Sequence, residues 1–165
     1  MGRFISQIID ASADPGDPDL YFNPGFCAEK RGKFREATRN YLRAVELKPT
    51  FLKAYDNLGR LNYQHKKSNE AIYCHRQAIK IDPLSARSHF FLGEALLQIK
   101  KYSEAIREFR EALKLQPDFL EARNNLGVAL ARINKFSQAR QEWENILRID
   151  PDFEPARRNL SALDR

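Results

Sequence analysis

Residues 86–119 read ARSHFFLGEALLQIKKYSEAIREFREALKLQPDF, and this stretch decides the fold. His89, Leu92, Gly93 and Leu96 recur at helical spacing, which predicts a first helix over about Ala86 to Ile99 with a single apolar stripe. Lys100-Lys101 then bridges to a second helix, about Tyr102 to Leu115, whose buried face is marked by Ala105, Phe109 and Ala112. Gly93 and Ala105 lack bulk, so the two backbones can approach closely, while Phe109 and Tyr102 fill the wider gaps. Gln116-Pro117 stops the second helix. Proline has no N–H to continue the ladder and drives the residue before it towards extended geometry.

The same punctuation extends in both directions. Pro49, Pro83, Pro117 and Pro151 lie 34 residues apart, and so do Gly25, Gly59, Gly93 and Gly127. A fixed period of this length means stacked, near-identical hairpin units that offer a long surface and enclose no reaction chamber. Residues 52–85 repeat the grammar with Tyr55, Leu58, Gly59, Ala71, His75, Ala78 and Pro83; residues 120–153 do so with Leu126, Gly127, Phe136, Ala139, Trp143, Ile146 and Pro151.

Residues 18–51 are a weaker unit. Gly32, Phe34, Ala37, Tyr41, Ala44 and Pro49 keep its second half, but Pro24 stands where the other units have leucine before glycine. A break there is expected, with a short helix near Pro18 to Phe22 and another after Pro24. Residues 154–165, with Ala156, Leu160 and Leu163 against Arg157, Arg158 and Ser161, read as a lone capping helix. Residues 1–17 belong to no unit: Phe4, Ile5, Ile8 and Ile9 form a short amphipathic helix before an acidic loop. That extension would either cover the edge of the first unit or occupy the groove of its own or a neighbouring molecule.

These small, aromatic and proline positions resemble the tetratricopeptide repeat family over nearly the whole chain. The resemblance implies an all-α fold, a right-handed α-solenoid of antiparallel helix pairs, whose first helices line a concave groove. It also implies a degenerate first repeat (18–51), three full repeats (52–85, 86–119, 120–153), and a role in binding protein or peptide segments.

Bulk properties narrow the context. No apolar run approaches the roughly 20 residues that span a bilayer, and the start lacks the apolar core of a secretory signal. Met1-Gly2 with Ser6 matches the loose pattern for myristoylation of Gly2. With no export signal, the cytoplasm is the expected compartment, and Cys27 and Cys74 are expected to be reduced packing residues. The net charge of +6 is uneven: residues 18–51 carry seven Lys/Arg against four Asp/Glu, whereas residues 120–153 carry five of each. The basic half reads first as solvated helix faces, with a mild preference for an acidic ligand as the alternative. Nucleic acid fits less well, because the cations are interleaved with acids and the aromatics form no stacking ladder.

On each first helix the face opposite the apolar stripe is the expected binding surface. It carries Lys53, Asp56, Asn57, Arg60, Tyr63 and Gln64 in one unit, then Arg87, Phe90, Phe91, Glu94, Leu97 and Gln98 in the next. Glu121, Asn124, Asn125, Val128, Ala131 and Arg132 follow, with Arg158 and Asn159 on the cap. Asn23, Asn57, Asn125 and Asn159 form a column interrupted once by Phe91. An asparagine amide both donates and accepts, so a column of them can pair with the backbone of an extended peptide, as some members of the family do.

Phe90, Phe91 and Leu97 are expected to form an exposed apolar pocket at mid-groove, flanked by Arg60, Arg87 and Asn57. The chaperone-tail clamp of one specialised branch would map here onto Phe22, Phe26, Asn57, Arg87 and Phe91. Only Asn57 agrees, so that ligand is not expected. No metal-ligand spacing, phosphate loop or activated nucleophile is spelled. The expected role is a non-enzymatic interaction module needing no cofactor or metal; the alternative is a scaffold that self-assembles into homo-oligomers.

Overall fold

The computed structural model describes residues 16–163. The amphipathic N-terminal helix expected at Phe4 to Ile9 lies outside the described residues. Among the described residues there are nine helices and no strand. They run α1 (Asp19–Lys30), α2 (Phe34–Leu47), α3 (Leu52–Gln64), α4 (Ser68–Ile81), α5 (Ala86–Gln98), α6 (Tyr102–Leu115), α7 (Leu120–Arg132), α8 (Phe136–Ile149) and α9 (Glu154–Leu163). Helix starts repeat with the sequence period: Leu52, Ala86, Leu120 and Glu154 open one series, Phe34, Ser68, Tyr102 and Phe136 the other. The fold class is all-α, the antiparallel helix pairs of an α-solenoid.

Two local devices set the period. Each second helix ends two residues before a proline, and the residue between them is extended as the proline ring demands. Gln116 has φ −137° and ψ 91°; Lys48, Asp82 and Asp150 lie within a few degrees of it. Each first helix ends instead in a left-handed turn. Gly32, Lys66, Lys100 and Asn134, again 34 residues apart, have φ between 59° and 71°. The next N–H closes a six-residue loop back onto the helix, as Lys101 does on the Leu96 carbonyl at 2.9 Å and Lys67 on that of Asn62. In residues 86–119 the left-handed position is held by Lys100 and not by glycine, so the expected plain bridge at Lys100-Lys101 is in fact a defined turn.

The described residues fall into two compact units, divided between Leu58 and Gly59. In the first, Tyr41 of α2 lies against Gly25 of α1 and contacts the Phe22 ring at a centroid distance of 5.7 Å. The expected break at Pro24 does not occur. Helix α1 runs through it without interruption. Pro24 sits early in the helix on an exposed face, so only the Leu20 carbonyl loses its partner and water can replace it.

The second unit holds the larger core, with Leu92, Leu96, Ile106, Phe109, Leu130, Trp143 and Ile146 buried. Here one ring per pair lies over one glycine: His75 on Gly59, Phe109 on Gly93 and Trp143 on Gly127. A Cβ on any of these glycines would stand 2.5–2.6 Å from the ring, closer than real atoms approach. Two equivalent braces tie successive pairs together. His89 contacts Glu108 at 2.9 Å and the Pro83 carbonyl at 3.3 Å; Arg123 donates to Glu142 at 3.0 Å and to the Pro117 carbonyl at 2.9 Å.

Candidate peptide-binding face

Within the second unit, α5, α7 and α9 bring four of the expected site residues into one hydrogen-bonded row. Asn159 Nδ2 donates to Asn124 Oδ1 at 2.9 Å, and Asn124 Nδ2 donates to Asn125 Oδ1 at 3.4 Å. Asn125 Nδ2 then donates to Glu94 Oε1 at 3.3 Å. Every link points the same way, from α9 towards the carboxylate. Each amide uses part of its capacity and keeps a second N–H and a second oxygen lone pair.

The acid at the end of the row is held in an unfavourable setting. Burial pushes the Glu94 carboxyl up to about 6, and the bond from Asn125 offsets only part of this. Tyr63 of α3 is raised too, first by its own burial and then by the negative charge of Glu94. Among the described residues Glu94 forms no ion pair.

Beyond Asn159 the row opens into a hollow of about 270 Å³. Val128, Ala131, Arg132 and Asn159 line it together with Phe136, Trp143, Ala162 and Leu163. Four of these eight were expected from the first-helix face. The others come from α8 and the end of α9, which a helix-face argument confined to first helices cannot reach.

The apolar pocket expected from Phe90, Phe91 and Leu97 is not formed. Phe90 is only 8% exposed and packs on Phe91, Phe109 and Phe119, at 4.7 Å between centroids for the last. Phe91 stacks at 5.5 Å on the ring of His75 and carries the Arg87 guanidinium 5.3 Å from its own centroid. Leu97 is half-buried against the core. Phe90 is therefore packing, while Phe91 and Leu97 remain partly exposed beside it.

The remaining expected residues have other surroundings. In the first unit, Asn57 Nδ2 donates to the Tyr41 hydroxyl at 3.4 Å, which itself donates to Glu29 at 2.7 Å; Lys53 is exposed. Arg60, in the second unit, is partly exposed. Cys74 is enclosed, and burial pushes its thiol up to about 11, which leaves it protonated and inert at neutral pH. Cys27, expected as a packing residue, is by contrast exposed. No group of three metal-ligating side chains exists among the described residues, and no described helix is long and apolar enough to cross a membrane.

Comparison with known proteins agrees with the architecture. Residues 74–118 and 92–152 each match the tetratricopeptide repeat model. No curated protein gives a significant match. Among solved structures the chain is similar to a crystal structure of MamA protein, with 24% identity and a TM-score of 0.82 over 85% of this chain and 76% of that one. It is also similar to the 41-end form of MamA from Desulfovibrio magneticus RS-1, with 18% identity and a TM-score of 0.78 over 85% and 79%. At these identities the likeness is one of fold.

Proposed function

The chain is a tetratricopeptide repeat protein, and we propose that it acts without turnover, holding an extended peptide or protein segment on the first-helix face of its second unit. The observation that carries this reading is the row Asn159–Asn124–Asn125–Glu94 beside the hollow lined by Val128, Arg132 and Phe136. A row of amides with spare donors and acceptors suits the repeating C=O and N–H of an extended backbone, whatever its side chains. The adjoining apolar hollow suits one anchoring side chain.

Peptides selected from a random displayed library on the intact protein provide the test. On titration of a selected peptide, backbone amide shifts should cluster at Glu94, Asn124, Asn125, Val128, Arg132 and Asn159. Shifts confined to α6 and α8, or a library that yields no binder, would overturn the reading.

A further inference from the structure

We infer that Glu94 is a selectivity site for a lysine or arginine side chain of the bound segment, an inference that rests on the peptide-binding reading above. Three observations lead there. Glu94 is the one acid on its helix's outward face, and Asn125 fixes one of its oxygens at 3.3 Å while the other is left for a ligand. Its neighbours are Asn125 and Tyr63, neither of them cationic at neutral pH. The only cation on the same helix, Arg87, lies two turns away and is engaged on the Phe91 ring.

A carboxylate in partly desolvated surroundings without a counter-ion is a standing cost that an incoming cation removes. Burial has already raised its proton affinity, to about 6, and the same surroundings strengthen its attraction for an ammonium or guanidinium group. The wider field does not oppose this. The basic excess lies in residues 18–85, whereas residues 120–153 carry five cations and five acids. The ligand is thus a segment with a basic residue directed to α5 and an apolar one directed to the hollow at α9, opposite in sign to what the net charge suggests.

The same displayed library tests this on wild-type protein and on E94Q, which keeps the side-chain shape and the bond from Asn125. Wild-type selections should enrich lysine or arginine at one position. A peptide so selected should bind E94Q about tenfold more weakly, as should its lysine-to-norleucine version bind wild type. Combining both changes should add little, and a cooperative melting transition at or above that of wild type would establish that E94Q folds. Binders without a basic residue, or equal affinity for E94Q, would overturn the role of Glu94. If those binders still weaken on N124A/N159A, peptide binding by this face stands; if no binder appears, both readings fall.

Discussion

Glu94, partly buried, and His75, fully buried, are two titratable side chains whose protonation costs run in opposite directions. Glu94 has a folded-state pKa raised from 4.5 to about 6 by burial. Its contribution to stability is therefore fully present below about 4.5 and lost as pH rises through about 6. The E94Q protein should melt higher than wild type at pH 8, and the difference should vanish near pH 4, as thermal scans across that range would show. His75 is held down to about 4 by burial first and by Arg87 second, so it favours the fold above 6.5 and loses that contribution as pH falls towards 4. Both its ring nitrogens are buried without a hydrogen-bond partner among the described residues. The equivalent place in the next repeat is taken by Phe109, over an equivalent glycine. Replacing His75 by phenylalanine should therefore stabilise the protein by about 1–3 kcal/mol at pH 7, because an unsatisfied buried polar group is removed. Urea titrations should show the gain widening as pH drops to 5.

Helix pairs are held in register by a ring over a glycine and by a left-handed turn, and the two respond oppositely to substitution. Adding a methyl at Gly93 places a carbon 2.5 Å from Phe109 in a fully packed core. The expected cost is about 1–3 kcal/mol, since the ring has nowhere to move. At Lys100 the backbone has φ 62°, which a side chain tolerates poorly and glycine adopts freely. Lys100→Gly should raise stability by about 0.5–1 kcal/mol, after its larger unfolded-state entropy is counted. Denaturant midpoints of the two variants, moving in opposite directions, would check both statements.

Element boundaries were legible because proline and glycine report directly on backbone geometry. The expected second helix Tyr102 to Leu115 and the observed α6 coincide. The left-handed turn was hidden because only Gly32 among its four positions advertises it. Pro24 misled for the converse reason: a proline early in an exposed helix forfeits one bond to a carbonyl that water can reach. For the candidate site, the sequence placed Glu94, Asn124, Asn125 and Asn159 on one face but could not show them in mutual contact. Phe90 was misplaced because helical spacing alone cannot say which of two adjacent aromatics the next helix will cover.

At the scale of the molecule, protection should follow core depth within each unit. In the second unit, α5 and α6 hold Leu92, Leu96, Ile106 and Phe109 at the centre, whereas α9 buries only Ala156 completely. Amide hydrogen exchange should accordingly be slowest in α5 and α6 and fastest in α9, because a stack frays where it has one neighbour instead of two. Equal protection throughout would show that the terminal helix is locked by more than these contacts. The row of amides adds one more property. An amide that turns over offers oxygen where nitrogen stood, so reversing any member forces its neighbour to reverse as well. Three residues on two helices thus share only two self-consistent settings, and an ionised acid, able only to accept, selects one of them. The face has a built-in polarity, and an extended chain lying along it meets a surface that can tell one end from the other.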